Sequence, residues 1–157
     1  MGEAGVLAND EAVGWRAGER SSMMGSMTTG GIGVLQLLAP NQAKLVPILG
    51  KRTGWDENVD KKGECASLEN EWVTIDGPIE MQFEALPRCA SYLQIKMRCV
   101  TDGGDHDVAI CEVAGTGVWD ESKQTVLWLS EDDADNQSSL DPSSALYSGQ
   151  LRDEGII

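Results

Sequence analysis

A chain of 157 residues with 41% apolar content can build one hydrophobic core, and five of its eight aromatic residues are Trp. Its 26 acidic and 12 basic residues leave a formal charge of −14, which repels phosphate backbones and anionic membrane surfaces. Nucleic acid is therefore excluded as a natural partner, and a basic protein surface is the complementary one, beside the plain service of charge to solubility.

No apolar run reaches the roughly 18 residues that cross a bilayer. The longest, Ile32 to Pro40, is interrupted by Gly33 and Gln36, so no transmembrane segment is expected. Glu3, Asp10 and Glu11 make the N-terminus unlike a basic signal peptide or an acid-poor transit peptide. Cys65, Cys89, Cys99 and Cys111 form no CxxC pair and do not cluster with the single histidine, which argues against a metal site and for a soluble protein in a reducing compartment.

Residues 1–30 are rich in Gly, Ser, Met and Thr without a sustained period, and are expected to form a flexible or partner-pinned extension. A β domain is expected over 31–130. Ile32 to Leu38 has the character of a buried strand, and Asn41 is placed to cap a short helix, Gln42 to Leu49, ended by Gly50. Residues 51–70 are charged and turn-rich, with a helical turn near Ala66 to Asn70. Trp72 to Ile75 and Pro78 to Ala85 then suggest a hairpin closed at Asp76-Gly77. In its second strand Ile79, Met81, Phe83 and Ala85 alternate with Glu80, Gln82 and Glu84.

The same alternation places Leu93, Ile95, Met97 and Cys99 inward and Gln94, Lys96 and Arg98 in water. Beyond the turn Thr101 to Gly104, Asp107 to Ala114 is apolar on both faces, Cys111 included, and is expected to be a central, doubly covered strand. Thr125 to Leu129 supplies another strand. Residues 131–157 begin with an acidic loop and end in a helix opened by Asp141-Pro142 and closed near Gly155. The fold class is therefore mainly β: an antiparallel barrel or sandwich with two or three short helices.

Common catalytic signatures are missing: there is no GxSxG elbow, and the Gly-rich stretch Thr29 to Gly33 lacks a Walker lysine. One concentrated feature remains, Gly104-Asp105-His106-Asp107, at the turn feeding the most apolar strand. Neighbouring carboxylates favour a protonated His106 that could meet an anionic or carbonyl group, or simply tie loop to strand.

Two stretches resemble a known family. Leu35-Gln36-Leu37-Leu38-Ala39-Pro40-Asn41-Gln42, with Leu45 and Leu49-Gly50-Lys51, is similar to a strand and helix of flavin reductase-like domains. Pro78 through Val113 resembles their later strands, including the Gly-Asp-His turn, with Cys111-Glu112-Val113 where the family carries a Gly-Glu-Val strand. The resemblance implies an FMN-binding split barrel, dimeric, using NAD(P)H. It assigns a cofactor-binding role to Gly104, Asp105 and His106, with His106 the catalytic residue of an active enzyme.

The family's opening strands, which grip the flavin phosphate, have only residues 1–30 in their place, so the resemblance covers an incomplete split barrel. The preferred expectation is a non-catalytic accessory subunit without a cofactor. Its partner would be a protein with a basic surface, or a second copy; by analogy the setting is the periphery of an electron-transport membrane complex in the plastid stroma, and the cytoplasm otherwise. The alternatives are an FMN-dependent NAD(P)H:flavin oxidoreductase active as a dimer, and an unrelated acidic β-barrel binding module.

Overall fold

The computed structural model describes residues 7–8, 30–50, 58–79, 81–102, 107–130 and 145–157. Strands β1 (Leu7–Ala8), β2 (Ile32–Leu37), β5 (Ser91–Asp102), β6 (Asp107–Asp120) and β7 (Thr125–Trp128) pair antiparallel in the order β1-β2-β5-β6-β7. Strands β3 (Val73–Asp76) and β4 (Gln82–Ala85) form a separate antiparallel ribbon. The ribbon crosses one face of the larger sheet, with β3 beside β7 and β4 against β1 and β2. Trp128 Nε1 donates to the Asp76 carbonyl at 2.5 Å and ties the two sheets together where no ladder joins them. The result is mainly β and antiparallel, two sheets that do not close into a barrel.

Between ribbon and sheet lies the main core, built on Val34, Leu45, Ile75, Phe83, Leu86 and Tyr92. Burying a side chain such as Ile75 contributes roughly 2–3 kcal/mol relative to leaving it in water. A smaller cluster on the opposite face of the sheet centres on Ile95 and Met97, with Leu35, Leu93, Ala109 and Cys111 packed around them.

The helices are short and differ from expectation in their ends. Pro40–Leu45 is a 3₁₀ turn that runs into α1 (Val46–Gly50). Its amino end is closed by Gln42, whose Oε1 accepts from the Ala39 amide at 3.0 Å, rather than by Asn41. The break between the two helical segments places Pro47 in the first turn of α1, where its missing donor costs no intrahelical bond. Helix α2 (Lys61–Ser67) begins earlier than the helical turn expected near Ala66, because Asp60 Oδ1 accepts from the Gly63 amide at 2.8 Å.

Helix α3 (Ser148–Asp153) starts later than Asp141-Pro142, since the Leu146 amide is engaged by the Leu38 carbonyl at 2.7 Å and the chain is still extended at Tyr147. The acidic loop and the proposed cap at Asp141 lie outside the described residues, as does nearly all of the N-terminal extension.

The ribbon also departs from the expected two-residue hairpin. Its ladder closes at Asp76↔Gln82, and a longer connection holds the Gly77 amide on the Met81 carbonyl at 2.8 Å. Gly77 is demanded by space: a Cβ would meet Gln94 Nε2 at 2.7 Å and the Phe83 ring at 2.8 Å. Pro78 packs toward Gly115 of β6, and Ile79 is exposed instead of buried. The alternation holds only from Met81 to Ala85.

Candidate functional site

Two glutamines assigned to water by their polarity, or taken as mere interruptions of an apolar strand, occupy the interior. Gln36 on β2 and Gln94 on β5 are fully buried beside Val34 and Tyr92. The Leu86 amide donates to Gln36 Oε1 at 2.7 Å, and the Ile79 amide donates to Gln94 Oε1 at 3.2 Å. Each glutamine thus pins a loop of the ribbon to the sheet. Tyr92 completes the arrangement, with Oη donating to the Leu86 carbonyl at 2.6 Å and accepting from the Cys89 amide at 3.1 Å. Gln42 reaches the same turn from the 3₁₀ segment, donating to the Pro87 carbonyl at 2.8 Å and to Asn70 Oδ1 at 2.9 Å. These side chains satisfy backbone groups that would otherwise be buried unpaired at a cost of about 1–3 kcal/mol each.

The thiols follow the same division. Burial pushes the Cys89 thiol up to about 12, against smaller downward effects of Tyr92 and Gln42, and burial raises Tyr92 as well. Cys65 is raised by burial, with the Trp72 indole opposing; that Trp72 Nε1 is buried and finds no hydrogen-bond acceptor of good geometry. Neutral, buried thiols of this kind are inert rather than nucleophilic. Cys111 is also raised, by partial burial and then by the nearby Cys99. Cys99 is exposed, not inward-facing as its place in the alternation suggested, because the ladder shifts between Met97 and Cys99. Among the described residues, no group of three His, Cys, Asp or Glu side chains is placed to hold a metal ion.

The second region of interest is the β5–β6 hairpin. β2 flanks β5 only as far as Lys96, with Gly30 and Gly31 adding bonds to Met97. β7 flanks β6 only from Gly117, with Leu129 adding one bond to Thr116. Among the described residues, Cys99–Asp102 of β5 and Asp107–Ile110 of β6 pair with each other alone, and 111–115 of β6 have β5 on one side only. This two-stranded arm is not the doubly covered centre that its apolar sequence suggested. Val108, Ile110 and Val113 are 45%, 52% and 55% exposed, and Val100 is exposed on the facing strand. The cause is tertiary: β2 and β7 are too short to accompany their long neighbours.

Gly104, Asp105 and His106 fall in the connection at the end of this arm and lie outside the described residues. The strand ends that lead into that connection carry Asp102 and Asp107 as register partners. Families of known proteins, characterised proteins and solved structures were all compared with this chain. None matches.

The sequence missed the exposed residues of the arm altogether. The signal that could have found them is the mismatch in strand length, with apolar residues running from Val108 to Ala114 while β7 shows only Thr125 to Leu129 to cover them. No helix among the described residues is long and apolar enough to cross a membrane.

Proposed function

We propose that this chain is a non-catalytic accessory domain of the flavin reductase-like kind, and that its work is to bind another protein through the β5–β6 arm. The observation that carries this is the exposure of Val108 and Ile110 on one face of the projecting hairpin and of Val100 on the other, with Val113 exposed further along the open edge of β6. Apolar side chains gathered in this way mark interaction surfaces in soluble proteins. Two further features support it. The interior polar side chains Gln36, Gln42 and Tyr92 are spent on the protein's own backbone, and the buried thiols are held neutral. The net charge of −14 favours a partner with a basic surface, and a complex of the electron-transport type in a reducing compartment is the setting that the family resemblance suggests.

The test is flavin itself. Purified protein mixed with one equivalent of FMN should leave the flavin fluorescence and visible spectrum unchanged, and should not oxidise NAD(P)H. Stoichiometric yellow protein that oxidises NAD(P)H, with turnover lost in His106→Ala, would establish the oxidoreductase instead.

A further inference from the structure

Strand β6 has a long unprotected edge. Among the described residues, 107–115 are hydrogen-bonded to β5 on one side and to no strand on the other, because pairing with β7 begins at Gly117. That edge runs for about 30 Å. Natural sheets guard such edges with lysine, proline, brevity or a covering element. Here residues 107–115 contain neither lysine nor proline, and the charge in their midst, Glu112, is engaged by Arg98 from β5. The side chains bordering the edge are apolar on both faces: Ala109 and Cys111 pack on the Ile95–Met97 cluster, while Val108, Ile110 and Val113 stand in solvent.

We infer that β6 is a strand-addition site, taking an extended, basic segment of another protein along residues 107–115; this rests on the accessory role proposed above. Backbone N–H and C=O groups on the free edge supply the affinity, and the alternate apolar side chains supply pockets for those of the guest. Charge selects the guest. The edge starts where the register pairs Asp102 with Asp107, in a chain of net charge −14. A strand that alternates Val or Ile with Lys or Arg is attracted to it. A second copy would bring a further −14 to the same place and is disfavoured.

The experiment uses the full chain and three synthetic nonapeptides: one alternating Val and Lys, one alternating Val and Glu, and the Val/Lys peptide N-methylated at every second amide. Calorimetry measures binding, and hydrogen exchange reads the β6 amides. The Val/Lys peptide should bind and slow exchange within 107–115, with the Val/Glu and N-methylated peptides at least about tenfold weaker, a difference of about 1.4 kcal/mol. Ile110→Lys, on a half-exposed side chain, should weaken the Val/Lys peptide without unfolding the protein. No binding of the Val/Lys peptide overturns the inference, as does equal binding of the N-methylated form, which would signal adsorption by charge alone. Slow exchange of 107–115 in the free protein, with a dimer by sedimentation, would give the edge to a second copy and overturn it too. Peptide failure with a colourless protein removes the edge and leaves the accessory role standing, whereas stoichiometric flavin removes the accessory role whatever the peptides do.

Discussion

From Ser91 to Met97, β5 runs between β2 and β6 with the ribbon above it, and its side chains are buried or half-buried. From Arg98 to Asp102 the same strand has, among the described residues, β6 alone for company, and every residue is exposed. β6 repeats the contrast in reverse, open at Val108 to Val113 and flanked by β7 from Gly117 onward. Strand pairing does not explain the contrast, since the ladder shifts register at Gln94/Ile95 and Met97/Cys99 and runs without a shift from Cys99 to Asp102. What separates them is the third neighbour, which converts a hydrogen-bonded ribbon into a place where Tyr92 and two glutamines can be fully enclosed. The enclosed half is organised for rigidity, and the arm presents apolar surface and unpaired backbone to whatever approaches.

The contrast can be broken from the enclosed side first. Tyr92→Ala removes a fully buried ring along with its two backbone hydrogen bonds and should cost about 5 kcal/mol by chemical denaturation, close to the total stability of a small domain. Alkaline pH should act next in size. The folded Cys89 thiol titrates near 12 against a usual 9.0, so unfolded chains ionise first as pH rises. Its contribution to stability is therefore intact below about 9 and falls by on the order of 3–4 kcal/mol between there and about 12. Cys89→Ala should flatten that part of the pH profile, whatever it does to stability at neutral pH.

Gln36→Leu keeps the volume but strips the Leu86 amide of its acceptor, and about 2 kcal/mol of destabilisation is expected from the same denaturation measurement. On the arm, Ile110→Ser should change stability by no more than about 0.5 kcal/mol, since that side chain is half in water already. A large loss there would mean that the arm is packed like the enclosed half.

Much of the fold was legible because period-two alternation survives wherever one face is dry, as in Phe83 and Ala85 of β4. The same rule misassigned β5. Gln94 carries a polar side chain, so it was placed in water with Lys96 and Arg98, yet its amide answers the Ile79 amide inside the core. Polarity in sequence cannot distinguish a solvated glutamine from one that satisfies a buried backbone donor. The arm was misjudged for the converse reason: Val108, Ile110 and Val113 are apolar, but burial needs neighbours, and the lengths of β2 and β7 decide whether neighbours exist. Candidate chemistry at His106 was legible as a motif alone, since four residues name a turn without showing what the turn faces.

Segment-resolved hydrogen exchange of the isolated protein tests the division most directly. The account predicts slow exchange throughout Ser91–Met97 of β5, and, along Val108–Ala114 of β6, fast exchange at every second amide, those directed away from β5. Uniform protection from Val108 through Asp120 in a monomeric protein would contradict it, because the outer edge of β6 would then already be filled.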